Sequence, residues 1–137
     1  MSRPLPEYAY RIDFKVRDYE CDLQGIVNNA NYLHYLEHAR HEYMLSLGLD
    51  FADLHRRGIV LTVIRAELDY KMPLASRDTF WVGINTERVS RLKFAFLQDI
   101  YKHDEHNTLV LRGRVVGTSL NAQRRPEIFP EIESFFP

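Results

Sequence analysis

The apolar residues of this chain follow one helical pattern that is preceded by a strand-like segment and followed by several more. In residues 8–19, aromatic and aliphatic side chains alternate with mostly charged ones, which predicts a half-buried first strand. From Tyr32 the apolar residues recur at helical spacing as far as Gly48, a suitable C-terminal residue for a helix. Asparagines just before Tyr32 are good N-caps, so one long helix is expected to begin at about residues 29–31. Its buried stripe should contain Tyr32, Leu36, Ala39, Tyr43 and Leu47, widened by Leu33 and Met44.

Segments of strand-like composition dominate the rest of the chain, and turn signals separate them. They occupy residues 59–70, 79–89, 93–101 and 108–120. A short second helix is expected at 50–57. A strand, a long helix and four consecutive strands predict an α+β fold, in which one helix lies on a curled antiparallel sheet. The tail at 124–137 contains three prolines and is expected at the surface, with Phe129, Phe135 and Phe136 as candidates for docking.

Length, charge and cysteine content exclude several classes of protein. The 137 residues support one domain over 1–137, with a core at about 8–121 and a tail at 122–137. A hydrophobic content of 45% excludes a disordered chain, and a net charge of −1 argues against a dedicated nucleic-acid partner. A single cysteine rules out an internal disulfide, and no apolar run is long enough for a signal peptide or a membrane span. We therefore expect a cytoplasmic protein without a membrane partner.

The segment between the first strand and the helix carries the best candidate for chemistry. Asp22 stands seven residues before Asn29, and Gly25 permits a sharp turn between them. If this loop folds back, the Asp22 carboxylate lies beside a helix N-terminus, whose free N–H groups suit a developing oxyanion. Such a pair is a minimal site for acyl transfer, with the carboxylate as base or nucleophile. The alternative is that Asp22 only caps the loop.

Two motifs resemble a known family. Residues 22–33, DLQGIVNNANYL, with LEHAR at 36–40, resemble the signature of the hotdog-fold acyl-CoA thioesterases, most closely the 4-hydroxybenzoyl-CoA thioesterase-like branch. Residues 70–74, YKMPL, with Asp78, are similar to the family's proline turn and following acidic residue. The resemblance covers roughly residues 10–120. It implies a hotdog fold, in which a five- to six-stranded antiparallel sheet wraps one long central helix, and a metal-free acyl-CoA thioesterase that needs no cofactor.

The resemblance also assigns roles to individual residues. It places the catalytic aspartate on Asp22, the N–H that polarises the thioester carbonyl on Asn29, and the loop-forming glycine on Gly25. One common form of the motif has Tyr-His where Asn28 and Asn29 stand here. The asparagine pair instead resembles the plant-type acyl-carrier-protein thioesterases, in which an asparagine side chain contributes to the site.

The family binds the coenzyme A phosphates with surface cations, for which Arg91, Lys93 and Arg88 are candidates on the turn between two strands. A solvated hairpin tip is the competing interpretation. Tyr32 is a candidate for substrate binding. Together with Tyr35, Tyr43, Phe94 and Phe96 it could line an acyl pocket, although a plain core role is favoured for all five. The resemblance further implies a homodimer, or a dimer of dimers, with each site at a subunit interface.

Other features of the helix leave alternatives open. Arg40 falls within the apolar stripe, three residues after Glu37. Either Glu37 and Arg40 pair at the dimer interface and substrate cleft, or the Arg40 side chain extends to the edge of the sheet. A structural role is favoured for Arg40. His34, Glu37 and His38 match the inverted zinc-protease motif, but these histidines should face solvent and lack an evident third ligand. A non-catalytic module that binds acyl-CoA or an acyl carrier protein, and an acyl-carrier-protein thioesterase, are the remaining alternatives.

Overall fold

Five antiparallel strands form one sheet in the order β1-β3-β4-β5-β2 in the computed structural model, which describes residues 5–136. The strands are β1 (Tyr10–Lys15), β2 (Val60–Tyr70), β3 (Thr79–Ser90), β4 (Lys93–Lys102) and β5 (Leu109–Leu120). The helices are α1 (Asn29–Ser46), α2 (Phe51–Arg56) and α3 (Pro130–Glu133). The predicted α+β architecture is confirmed. Residues 1–4 and Pro137, which the predicted domain and tail include, lie outside the described residues.

The first strand is shorter than predicted. It pairs with β3 only from Tyr10 to Lys15, and the chain then enters a short 3-10 turn at Asp18–Glu20. The Glu20 carboxylate accepts the backbone N–H of Arg17 at 2.7 Å, which stabilises that turn. The prediction of a strand as far as residue 19 is therefore wrong, because this local hydrogen bond replaces strand pairing.

Helix α1 packs against one face of the sheet through four of the predicted residues, Tyr32, Leu36, Ala39 and Tyr43. Leu33 and Leu47 are 44% exposed, contrary to the prediction. Tyr35, which the predicted stripe omits, is buried instead, with its ring 4.8 Å from that of Phe80 in β3 and 5.6 Å from that of Phe14 in β1. The buried face of the helix is thus rotated toward β1 compared with the prediction, so that it includes Tyr35 and leaves out Leu33.

Glycines end both longer helices as expected. Gly48 follows α1 with a φ of 88°, and Gly58 follows α2 with a φ of 73°. These left-handed conformations favour glycine, so the chain can turn sharply before β2 begins. Within residues 5–136, the structure contains no helix that combines the length and the hydrophobicity needed to cross a membrane.

The tail docks onto the sheet more firmly than predicted. Ile132 and Phe136 are buried, and the Phe136 ring stacks on Phe94 at 4.3 Å and meets Phe96 edge-on at 5.2 Å. Phe129 and Phe135 are only partly buried. Docking of Phe136, one of the three predicted candidates, is confirmed, because the two aromatic residues of β4 offer it an apolar site.

Replacing Phe136 should therefore test the docked tail. Phe136→Ala should lower the free energy of unfolding by about 3 kcal/mol, because a buried aromatic side chain is lost. Phe135→Ala, the matched control, should cost about 1 kcal/mol or less, since its side chain is partly exposed already. Urea unfolding followed by circular dichroism measures both. Equal losses would contradict the docking.

Candidate functional site

The loop that follows β1 folds back on itself as a small hairpin. Cys21 and Val27 form an antiparallel bridge, and the Asp22 N–H donates to the Ile26 carbonyl at 2.9 Å. The Gly25 N–H closes the turn on the Asp22 carbonyl at 3.0 Å, and Gly25 has a φ of 82°. The predicted fold-back and the glycine turn are both present. As a result, the segment that carries Asp22 runs beside the segment that enters α1.

The carbonyl oxygen of Glu20 joins this hairpin to the helix. It accepts the Asn28 N–H at 3.0 Å and the Nδ2 of Asn31 at 2.7 Å. The Glu20 carboxylate, in turn, accepts the Tyr35 hydroxyl at 2.9 Å. Burial and this contact raise the pKa of Tyr35. Glu20 and Asn31 were not among the predicted site residues, and the cluster of asparagines around the helix start is the sequence signal that points to this region.

The first turn of α1 presents the Asn29 N–H as a free backbone donor. Asn28 is the N-cap: its side-chain oxygen accepts the Ala30 N–H at 3.0 Å, and its carbonyl accepts the Asn31 N–H at 2.9 Å. Among residues 5–136, the Asn29 N–H has no acceptor. A free N–H at the positive end of an eighteen-residue helix is a donor for an anionic or polarised oxygen.

The Asp22 carboxylate is exposed and caps its own loop. Its Oδ1 accepts the Gln24 N–H at 2.8 Å. The alternative of a loop-capping role is therefore observed. The cap uses one carboxylate oxygen, and within the described part of the chain the structure records no hydrogen bond to Oδ2. A carboxylate fixed through one oxygen can still act as a base or nucleophile through the other.

A cleft of about 300 Å³ lies beside the helix start, with Asn29, Tyr32, Tyr70 and Met72 in its lining. The Tyr32 hydroxyl accepts the Leu74 N–H at 3.1 Å, and burial raises its pKa. Tyr32 is thus both part of the core and part of this cleft. Asp22 and Gly25 do not line the cleft; they stand on the neighbouring hairpin.

The basic residues of the β3–β4 turn lie at the other end of the sheet. The Val16 N–H, upstream of the hairpin, donates to the backbone carbonyl of Asp78, which directly precedes β3, whereas Arg88 is near the end of that strand. Arg88 follows Thr79 by nine positions in β3, which is about 30 Å of extended strand. One chain therefore does not bring the predicted coenzyme A ligands and Asp22 together.

The three cations of that turn differ in availability. Arg88 donates to the carbonyls of Ser90 and Arg91, both at 2.7 Å, and lies 3.6 Å from Glu133. Its guanidinium stabilises the turn and the tail. Arg91 and Lys93 are exposed. They are the two candidates with charge available for a ligand.

The helix histidines do not gather a metal site. His34, His38 and His41 are exposed, as predicted. His38 lies 4.0 Å from Glu42, and His41 stacks on Phe51 at 4.4 Å. In the described range, 5–136, no three His, Cys, Asp or Glu side chains are placed to hold a metal ion. The inverted zinc-protease motif thus has no third ligand there.

Arg40 adopts neither of the two predicted arrangements. Its Nη1 donates to the Gln98 side-chain oxygen at 3.0 Å, and Gln98 is fully buried in β4. No carboxylate of residues 5–136 lies within 4.0 Å of its guanidinium, so Glu37 is not its ion-pair partner. Burial lowers the pKa of Arg40, and the more distant charge of Glu37 opposes that shift.

The sequence of this chain matches a known protein family. A family model described as the thioesterase-like superfamily matches residues 16–136. An acyl-acyl carrier protein thioesterase from Arabidopsis thaliana chloroplasts is 33% identical over 128 residues, which are 93% of this chain and 68% of that protein.

Solved structures agree with that match. A protein from Aquifex aeolicus superposes with a TM-score of 0.85 and 28% identity, over 93% of this chain and 99% of that one. A 1,4-dihydroxy-2-naphthoyl-CoA thioesterase from Synechocystis gives a TM-score of 0.84 at 18% identity, over 91% and 92% of the two chains, which shows a shared fold. The five-stranded sheet, its packed helix and the matched family model lead to one conclusion: this chain belongs to the thioesterase-like superfamily, the hotdog-fold thioester hydrolases.

Proposed function

We propose that this protein hydrolyses acyl-coenzyme A thioesters to a free acid and coenzyme A, and that Asp22 is its catalytic carboxylate. The observation that carries the proposal is the free Asn29 N–H at the start of α1, next to the hairpin that holds Asp22. The thioester carbonyl oxygen accepts a hydrogen bond from this N–H, which polarises the carbonyl carbon. Negative charge that develops on the oxygen is stabilised by the helix N-terminus.

Asp22 completes the chemistry by one of two routes. It attacks the carbonyl carbon and forms an acyl-enzyme anhydride that water then hydrolyses, or it takes a proton from a water that attacks instead. In both routes the C–S bond breaks, coenzyme A leaves as its thiol after protonation, and one water is consumed. Gly25 shapes the loop, and Tyr32 lines the cleft beside the reacting carbonyl. No metal or cofactor takes part in this proposal.

Changing Asp22 should abolish turnover without unfolding the protein. Asp22→Asn should lower kcat by about 100-fold or more, because the amide is neither a base nor a nucleophile. Asp13→Asn is the matched control, since Asp13 is exposed on β1 and contacts His103 rather than the loop. A thiol-release assay with short, long and aromatic acyl-CoAs measures both variants. Near wild-type turnover by Asp22→Asn, or loss of wild-type activity on chelation, would contradict the proposal.

We further propose that the protein works as a homodimer joined along β2. This edge strand exposes Val60, Val63 and Ile64, each between 47% and 49%, and one side of its backbone is unpaired. Such an edge favours pairing with a second copy. Antiparallel pairing would bring Val60 of the second copy near Tyr70, and hence the second copy's β3–β4 turn to the end of the sheet where Asn29 lies. A dimer of dimers stays a prediction.

In this arrangement Arg91 and Lys93 of one copy bind the phosphates of a substrate that reacts at the other copy. Their exposure and charge suit phosphate. The proposed dimer thus removes the separation of about 30 Å that a single chain imposes between these residues and the helix start.

Neutralising both cations should weaken substrate binding selectively. Arg91→Ala combined with Lys93→Ala should raise KM for an acyl-CoA by about tenfold or more and leave kcat unchanged, because the phosphates are remote from the reacting bond. The same acyl group on pantetheine, which lacks those phosphates, should show no change in KM. Steady-state kinetics of the double variant and the wild type with both substrates measures these changes in KM.

An equal effect on both substrates would contradict the role of these residues in phosphate binding. Sedimentation of the active protein at micromolar concentration tests the second copy independently. A dimer is expected, and an active monomer would exclude the shared site.

Acyl carrier protein is a second candidate carrier, because the Arabidopsis relative acts on acyl-acyl carrier protein. Comparing one acyl group on the two carriers separates these substrates. Binding of acyl-CoA without any thiol release would instead support the non-catalytic module. The cytoplasmic location predicted from the sequence stays a prediction.

A further inference from the structure

A second cavity, of about 310 Å³, lies between the C-terminal half of α1, helix α2 and strands β2, β4 and β5. Its walls are mainly apolar and aromatic: Met44, Phe51, Leu61, Phe94, Phe96 and Val115. The volume is at the small end of the range for ligand pockets. Arg40, which lines this cavity, follows Asn29 by eleven positions in α1, which is about 16 Å along the helix axis. This cavity is therefore distinct from the cleft at the helix start.

Arg40 supplies the positive charge of this cavity. A guanidinium has five N–H donors, and the structure records one hydrogen bond for Arg40, to the neutral amide of Gln98. Gln98 is itself fixed, because its Nε2 donates to the Leu36 carbonyl at 3.0 Å. A partly buried arginine without a carboxylate partner is unfavourable, so a bound anion would stabilise this arrangement.

The remaining titratable groups in the lining are Glu37 and His41, and both are exposed at the rim. His41 stacks on Phe51, and Glu37 stays beyond 4.0 Å from the Arg40 guanidinium. The interior thus combines apolar walls with a single cation. An uncharged acyl thioester leaves that cation unpaired, and a polyphosphate would bury its charges against phenylalanine rings. A compact organic acid satisfies both requirements.

We propose that this cavity binds a free carboxylic acid, with the carboxylate on Arg40 and the apolar body against Phe94 and Phe96. Arginine pairs with carboxylates through two parallel N–H donors, which favours the acid over a neutral analogue. Binding of the acid does not depend on catalysis. The role of this binding in the cell rests on the proposed function. A free acid is the product of thioester hydrolysis, so the cavity would retain the product, and the bound product would inhibit turnover as it accumulates.

Isothermal titration calorimetry with octanoate and octanol tests the charge requirement directly. Octanoate should bind once per chain and at least tenfold more tightly than octanol, which has the same chain and no charge. Arg40→Met should remove this preference, and Arg40→Lys should retain part of it. Arg112→Met is the matched control, because Arg112 is exposed on β5, is not part of the cavity lining, and pairs with Asp99. It should bind octanoate as the wild type does.

A second variant tests the cavity even if Arg40→Met fails to fold. Met44→Trp should fill the cavity from the partly exposed side of α1, leave Arg40 in place, and abolish octanoate binding while unfolding as cooperatively as the wild type. Equal affinity for octanoate and octanol, or unchanged octanoate binding by a folded Arg40→Met or Met44→Trp protein, would overturn the proposal.

Failure of this proposal and failure of the proposed function give different results. If the protein hydrolyses acyl-CoA but binds no octanoate, only the acid site is wrong. If it binds octanoate through Arg40 but releases no thiol, the acid site stands and the proposed hydrolysis of acyl-CoA does not. When both hold, octanoate should inhibit hydrolysis by the wild type and by Arg112→Met, and inhibit Arg40→Met at least tenfold less.

Discussion

The Glu20 carbonyl oxygen is the point on which the arrangement of the candidate site depends. By accepting from the Asn28 backbone and the Asn31 side chain, it fixes the loop after β1 to the first turn of α1. The bond from Asn31 is partly buried, where a hydrogen bond is costly to lose. The Asp22 hairpin is also held to the segment before β3, because the Val27 N–H donates to the Leu74 carbonyl at 2.8 Å, but only the Glu20 carbonyl among these contacts joins it to the Asn31 side chain. With the Glu20 connection, a carboxylate and a free helix N–H keep a defined separation, as preorganised electrostatic catalysis requires.

The length of the sheet imposes the second constraint. The start of β3 lies near the loop that holds Asp22, and its end leads into the basic β3–β4 turn. Asp22 and that turn of a single chain therefore cannot contact the same coenzyme A molecule. The unpaired β2 edge offers a physical solution, because antiparallel pairing of two copies exchanges the ends of the sheet. Within that turn Arg88 donates to two backbone carbonyls, whereas Arg91 and Lys93 are exposed.

Much of this fold was predictable because hydrophobic periodicity is a local signal. The four later strands begin and end within one residue of their predicted limits, and Asn28 and Gly48 delimit α1 as their residue types suggest. Long-range partners were not predictable in this way. Nothing local in the sequence pairs Arg40 with Gln98, 58 positions away, or places Phe136 on Phe94. Glu20 acts through its backbone carbonyl, which no residue pattern reveals.

The most direct test of this account is the activity of Asn31→Asp. Aspartate has nearly the same shape and is favourable in the first turn of a helix, but its carboxylate cannot donate to the Glu20 carbonyl. The account predicts that α1 and the free energy of unfolding are preserved while kcat for thioester hydrolysis falls by about tenfold or more. Wild-type kcat in Asn31→Asp would contradict it, because the position of Asp22 would then not depend on this contact.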